Sequence, residues 1–409
     1  MAVRHRLVLL ALLINMVCYT DRVCIAIAGP ELRRNFNLSQ TELGLVFSIF
    51  SLSYFLGQTP WGILADRHGS RGLVAFAIAG WSLFTALTAT AWSYLSLLII
   101  RFVFGGLEAA FSPSIASAFS RWIPVHERAT AFGAFLGGGR LGGALTPPLA
   151  GYLLLHYGWQ APFLVFGAFG LLWAVAWFVA YRNHPQDHPQ ITEAELAAIG
   201  PTTTNQITAT PWPTLLRNTR LWSLLGTAFG STLLWQFYIT WFPTYLREQR
   251  GMSLTEASYY AGLPLLFGVA ATWAGGFLTD LLTRRLGPRQ ARTLIGFCGL
   301  STAAALFSLG IAYPEPALAA LLMSSAAGAV DLYLDAAWSS ATDIGGSSGG
   351  TVAGLMNAAS NAAGFVAPVL MGWVLDQSHN WNAVLYLSAA TTLTADVLWL
   401  FVNPGRPEL

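Results

Sequence analysis

An acid and an arginine, Asp21 and Arg22, stand side by side inside an apolar run from about Leu7 to Gly29. At the centre of a membrane helix each such charge costs at least ~2.5 kcal/mol, so a sequence that keeps both uses them. A second acid and base, Arg101 and Glu108, lie in the apolar run 93–117. Their spacing is two helical turns, which places them on one face about 10 Å apart. That is too far for a direct backbone-fixed pair, but long side chains reach a shared group between them. Two acids and two arginines sum to zero formal charge, which lowers the cost of burying them. A purely structural ion network is the competing reading.

Other polar residues interrupt apolar runs. Tyr54 offers a hydroxyl at mid-depth in 43–65, or only packs. Gly137-Gly-Gly-Arg140 sets a further cation in 129–155, for substrate or as an internal counter-ion. Asp331, Asp335 and Trp338 follow i, i+4, i+7 and share one helix face. Two acids one turn apart in low dielectric disfavour joint ionisation, so one is protonated or paired to an arginine such as Arg140. Alternatively one of them, Asp331 more than Asp335, faces water at a helix end. Asn357 and Asn361, again i and i+4 on a Gly/Ala-rich segment, bind substrate or join helices by hydrogen bonds. Asp396 has no assignable role, and no histidine lies mid-span.

The elements that carry these residues follow from composition. The chain of 409 residues is 55% hydrophobic and 10% charged, with mean hydropathy +0.54, against about 25% charged for a soluble domain. Twelve apolar segments, near 7–29, 43–65, 73–91, 93–117, 129–155, 160–181, 220–245, 257–280, 292–312, 316–338, 350–373 and 381–402, are each long enough to cross a hydrocarbon core of roughly 30 Å as a helix. The expected class is an all-α membrane protein with twelve transmembrane helices. Every one of the 21 basic residues is arginine. With the N-terminus inside, fourteen fall on the cytoplasmic side, four (Arg33, Arg34, Arg247, Arg250) outside and three (Arg22, Arg101, Arg140) within spans, so the positive-inside rule puts both termini in the cytoplasm. The first apolar run exceeds a signal-peptide core and is kept as helix 1.

Three cysteines, all in apolar segments, give no disulfide framework. The glycines at 137–139 are not a dinucleotide fingerprint, because no strand-and-helix unit surrounds them. With no Cys/His cluster at metal spacing and no soluble catalytic domain, the expectation is no enzyme, no metal, no cofactor and no nucleic-acid partner.

A polar, Pro/Thr-rich stretch, 182–219, with acids at Glu193 and Glu195, divides the chain into bundles 1–181 and 220–409 of six helices each. Gly143-xxx-Pro147-xxx-Gly151 recurs as Gly364-xxx-Pro368-xxx-Gly372, and Gly62-xxx-Asp66 as Gly276-xxx-Asp280. Two pseudo-symmetric six-helix bundles with a binding site at the repeat interface are the architecture of the major facilitator superfamily. The loop Gly62-Ile-Leu-Ala-Asp66-Arg67-His-Gly69-Ser-Arg71 resembles that superfamily's signature between helices 2 and 3. Asp66 there accepts hydrogen bonds in one gate position and loses them in the other, with Gly62, Arg67, Gly69 and Arg71 as gating partners; a basic anchoring loop is the plainer reading.

Tyr19-x-Asp21-Arg22, Arg101-x6-Glu108 and Trp241-Phe-Pro-Thr-Tyr-Leu together resemble the anion:cation symporter branch, which holds bacterial hexuronate, galactonate and glucarate permeases and the vesicular glutamate, sialic acid and phosphate carriers. The resemblance implies that Arg22 and Arg101 bind a substrate carboxylate, that Tyr19 and Tyr54 hold hydroxyls, and that Asp21 and Glu108 are the proton-coupling acids. Asn357 matches an asparagine that binds substrate in sugar-acid permeases. Arg140 and Asp335 depart from the pattern, and Asp335 admits a substrate bearing an amine. The implied function is proton-coupled symport of a small organic anion, a sugar acid, by alternating access in a bacterial-type inner membrane, by a monomer whose only coupling partner is the proton. Two alternatives stay open: a proton-driven exchanger or exporter of a cationic or zwitterionic compound using Asp331 and Asp335, and a non-transporting receptor on the same fold.

Overall fold

The structure, a computed structural model, describes residues 2–124, 127–199, 212–345 and 349–402. The side chains of Asp66, Asp280 and Asp335 lie outside what it describes, as does the stretch 200–211 of the expected linker. Among the described residues the regular structure is helical throughout.

The first helices are α1 (Val3–Phe36), α2 (Gln40–His68) and α3 (Ser70–Thr88). Between α1 and α2 the chain turns through Asn37, φ 51°, with Leu38 N–H donating to the Arg33 carbonyl at 3.0 Å, a left-handed helix cap. The α2–α3 turn passes through Gly69 at φ 80°, ψ 165°. The turn from α12 (Leu254–Leu286) to α13 (Pro288–Ala312) passes through Gly287 at φ 80°, ψ 161°. Only glycine adopts that backbone readily, and its use at both turns agrees with the internal repeat.

The apolar run 93–117 is not one helix. It divides into α4 (Tyr94–Glu108) and α5 (Phe111–Trp122). Pro113 causes the break, since its ring clashes with the carbonyl four residues back and it offers no N–H to continue the ladder. Glu108 is therefore the last residue of α4. Proline acts the same way near Trp241-Phe-Pro-Thr-Tyr-Leu. Ahead of Pro243, α10 (Thr219–Gln236) widens into a π turn, Phe237–Trp241, before α11 (Phe242–Glu248). The motif itself is core: Trp241, Phe242 and Leu246 are fully buried, Phe237 packs edge-on against Phe242 and Trp381 edge-on against Trp241, and Tyr245 stacks on Phe242.

The remaining long helices are α6 (Arg128–Tyr157), α7 (Ala161–Ala180), α14 (Pro316–Gly345), α15 (Gly349–Ser378) and α16 (Trp381–Val402); the short α8 (Glu193–Ile199) and α9 (Trp212–Arg217) lie between α7 and α10. Nine helical stretches among the described residues are long and apolar enough to cross a membrane. With α6, α10–α11 and α12 they make the twelve segments expected.

Helical contacts divide the chain into two compact units, Met1–Leu38 with Leu45–Asn205, and Ser39–Gly44 with Gln206–Leu409. In the first, Trp81, Phe104, Phe111, Phe135, Trp122 and Trp177 form one buried cluster. The glycines of α6 set how closely α1 approaches it: a Cβ at Gly138 would strike the Leu12 carbonyl, at Gly139 the Tyr19 ring, and at Gly142 the Met16 backbone. In lipid, where no hydrophobic force pulls helices together, such small-residue contacts are what holds them. Asn15 Nδ2 adds a hydrogen bond to the Phe135 carbonyl at 2.7 Å.

The acidic patch after α7 has a structural use. Glu195 of α8 accepts from Val3 N–H at 3.2 Å and Arg4 N–H at 2.8 Å, satisfying donors that a helix start leaves open. Arg4 in turn pairs bidentately with Glu127 at 2.9 and 3.0 Å.

Candidate functional site

The polar groups of the first unit are arranged by which way α1 turns them. Neighbouring helical residues point about 100° apart, so Asp21 and Arg22 face different helices. Arg22 faces α2 and α4, and its Nε donates to Glu108 Oε1. Its guanidinium lies 4.7 Å from the Tyr54 ring centroid, 5.0 Å from Phe50 and 5.3 Å from Tyr19. Arg101 stands 4.5 Å from Phe104 and 5.3 Å from the same Phe50. One aromatic ring therefore serves both cations, each contact contributing about 0.5–2 kcal/mol. Gly105 permits this: a Cβ there would strike the Phe50 carbonyl and the Ser53 hydroxyl, so only glycine lets α2 come close enough.

Glu108 is fully buried and Arg101 is 4% exposed. Glu108 forms its ion pair with Arg22 of α1. Arg101 Nε and the second Glu108 oxygen have no hydrogen-bond partner among the described residues. Removing either member of a buried pair costs about 3–5 kcal/mol, because the other charge is left alone. Tyr54 completes this wall, its hydroxyl 3.3 Å from that of Ser112.

Asp21, 1% exposed, points behind the arginines, toward Trp81 and Thr85 of α3. Neither its carboxylate oxygens nor the Trp81 indole N–H makes a hydrogen bond among the described residues. Unpaired burial of this kind is expensive for a charged carboxylate and far cheaper for a protonated one. Arg140, half-buried on α6, belongs to the same region, beside Tyr19.

The first unit thus brings together Tyr19, Asp21, Arg22, Tyr54, Arg101 and Glu108, with Arg140 next to them. Residues of the second unit are less uniform. Asp331 is buried, 3% exposed, which corrects the water-facing alternative, while Trp338, expected on the same face, is 42% exposed. Asn357 is half-buried, and its carbonyl accepts from Asn361 Nδ2 at 2.9 Å; that amide is spent within its own helix. Asp396 accepts from Ser301.

In the expected gating loop, Gly69 makes the turn, Arg67 is exposed, and Arg71 Nε donates to the Phe178 carbonyl at 2.9 Å with its guanidinium over the Phe178 ring. A Cβ on Gly62 would meet Pro113 at an ordinary 3.6 Å, so no close approach depends on that glycine. Asn183 caps the start of α3, accepting from Arg71 N–H at 3.0 Å. Among the described residues no three His, Cys, Asp or Glu side chains gather as metal ligands.

Phe50, Phe104, Trp81, Thr85 and Asn183 had not been singled out from the sequence. Phe50 carried a signal, since it sits one turn before Tyr54 on the same helix face. Trp81 and Thr85 carried none, because their place beside Asp21 depends on how α3 packs on α1.

The chain and its fold are similar to those of known proteins. The chain is 33% identical over 98% of its length, and 94% of the relative's, to a probable sulfoacetate transporter of Cupriavidus necator. It is 31% identical to a hexuronate transporter of Bacillus subtilis (98% and 95%) and 30% to a probable galactarate/D-glucarate transporter of the same organism (98% and 92%). In fold it is similar to a bacterial homolog of the human lysosomal transporter Spinster, with a TM-score of 0.78 at 21% identity over 98% of this chain and 97% of that one. The family model for the Major Facilitator Superfamily matches residues 11–368, and the chain belongs to that superfamily of membrane transporters, not to any enzyme family.

Proposed function

We propose that the protein is a proton-coupled symporter of a small organic anion, a sugar acid or a compound of similar charge, working by alternating access. The observation that carries this reading is the buried Arg22–Glu108 pair. Protonating Glu108 removes the anionic partner of Arg22, and the freed guanidinium then takes a substrate carboxylate in a charge-assisted hydrogen bond. Arg101, whose Nε has no hydrogen-bond partner among the described residues, is the second anchor. Tyr19 and Tyr54 hold substrate hydroxyls. Asp21, walled off toward α3, is the second proton site. Coupling arises because proton and substrate stabilise the same state of the protein.

Arg140, Asp335, Trp338 and Asn357 complete the substrate contacts in this proposal, and the Gly62–Arg71 loop gates. Bundles 1–181 and 220–409 are joined by the linker 182–219, both termini lie in the cytoplasm, and the transporter acts as a monomer in a bacterial-type inner membrane. The relatives' names support the substrate class, since sulfoacetate, hexuronates, galactarate and glucarate are all organic anions.

The test is made in liposomes carrying a pH dye inside. Adding glucuronate, galactonate or sulfoacetate outside should acidify the interior. No response to any organic anion, together with alkalinisation on adding an amine, would sink the proposal in favour of an exchanger of cationic compounds.

A further inference from the structure

The repeat motif Gly364-xxx-Pro368-xxx-Gly372 takes no part in the polar cluster of the first unit. Pro368 and Gly372 are one turn apart on α15 and Asp376 stands one turn further, so the three share a helix face. That face meets the first turn of α2. A Cβ at Gly44 would strike the Pro368 carbonyl, and one at Gly372 the Gln40 carbonyl, so backbone touches backbone with no side chain between. At the end of the contact the Asp376 carboxylate accepts from Gln40 N–H at 3.0 Å on one oxygen and from Thr41 N–H at 2.8 Å on the other, with the Thr41 hydroxyl as a third donor. A carboxylate in this position satisfies N–H groups that a helix start leaves open and lies at the positive end of the helix dipole. Yet α2 does not need Asp376 to begin. Ser39 Oγ accepts from Glu42 N–H at 3.1 Å and Glu42 Oε2 accepts from Ser39 N–H at 2.8 Å, a self-contained capping box. The clasped turn, Ser39–Gly44, groups with the second compact unit, whereas α2 from Leu45 onward groups with the first.

We propose that Asp376, with Gly44 and Gly372, forms a latch between α15 and the first turn of α2 that is made in one access state of the transporter and released in the other. The latch rests on the alternating-access reading, but not on the identity of the substrate. A helix whose first turn groups with one unit and whose remainder groups with the other must take up a change between two arrangements. Contacts of glycine on backbone part without any side chain having to disengage, and the capping box keeps the end of α2 helical once they do. Ser39 and the residues 377–380 beside the clasp are exposed, so water reaches the carboxylate and the freed N–H groups. The charge-assisted hydrogen bonds to Asp376 give the closed latch its strength. Asp376 thus sets the population of the latched state without touching substrate, and its loss moves the equilibrium toward release.

The test is a distance measurement on the full-length protein in nanodiscs, with no substrate added. The exposed Cys298 is replaced by Ser, while Cys18 and Cys24 are buried, and nitroxide labels are placed through Asn35→Cys and Gln377→Cys, both at exposed positions. Double electron–electron resonance then gives the distribution of label distances. Asp376→Asn, which removes the charge and one acceptor oxygen, should raise a separate, longer-distance population about tenfold or more relative to the shorter one. Should that variant fail to fold, Gly44→Ala, which sets a methyl against the Pro368 carbonyl, gives the same readout. A distribution unchanged in the variant, or merely broadened about a single distance, overturns the latch and makes Asp376 a fixed helix cap. Because no substrate is present, failure of organic-anion transport in liposomes would refute the proposed substrate class and leave this result standing.

Discussion

Arg22 Nε and Glu108 Oε1 join α1 to the last residue of α4 across 86 positions of sequence. The pair is buried on the Glu108 side and partly open on the Arg22 side, with side-chain exposures of 0% and 22%. A pair built this way is held from behind and accessible in front, as an exchange of carboxylates on Arg22 requires.

Replacing Glu108 by Gln keeps the shape but removes the titrating partner. Proton-driven accumulation of the organic anion in vesicles should fall to background, while counterflow exchange at equal pH persists. Accumulation that still follows the pH gradient would remove Glu108 from the coupling.

Phe50 tests the aromatic contacts. Phe50→Leu retains apolar bulk but removes the ring shared by Arg22 and Arg101. At about 0.5–1 kcal/mol for each of the two contacts, the substrate KM should rise roughly fivefold to thirtyfold, with the unfolding temperature little changed. An unaltered KM would mean that the ring merely fills space.

Trp81 is the expected positioning residue for Asp21. Trp81→Phe removes the indole N–H facing that carboxylate and keeps the packing on Phe111. The pH profile of transport should change, with Asp21→Asn abolishing the affected limb. A profile identical to wild type would assign Trp81 to packing alone.

Glycines of α6 separate contact from open space. Gly142→Ala places a methyl on the Met16 backbone, whereas nothing lies within 4 Å of a Cβ at Gly137. The first change should destabilise by about 1–3 kcal/mol and lower the unfolding temperature in detergent, while Gly137→Ala leaves it unchanged or slightly raised.

Glu127 should give a weak pH dependence of stability. Hydrogen bonds from Arg4 hold its carboxyl below the ordinary 4.5. A depressed folded value means stability that is present above 4.5 and lost as pH falls through the folded value. The pair is partly exposed, so the effect is small, ~0.2–1 kcal/mol. The difference in unfolding temperature between wild type and Glu127→Gln should be largest near neutral pH and close in acid.

Much of the fold was legible in the chain. Hydrophobic length alone marks a membrane helix, because an unpaired backbone group is too costly in lipid for other structures to span it. Asp21, Arg22, Arg101 and Glu108 were legible for the same reason, since a charge in an apolar run is conspicuous. The break after Glu108 was also written in Pro113, although the apolar run concealed it.

Local sequence therefore determined the helical segments, the repeat and the identity of the charged residues. Tertiary structure decided their pairing. Arg22 takes Glu108, Arg101 stacks on Phe50 and Phe104, and Asp21 turns to Trp81, because the glycines of α4 and α6 fix how closely α2 and α1 approach. Those separations arise from contacts between helices distant in sequence, and no periodicity within one helix encodes them.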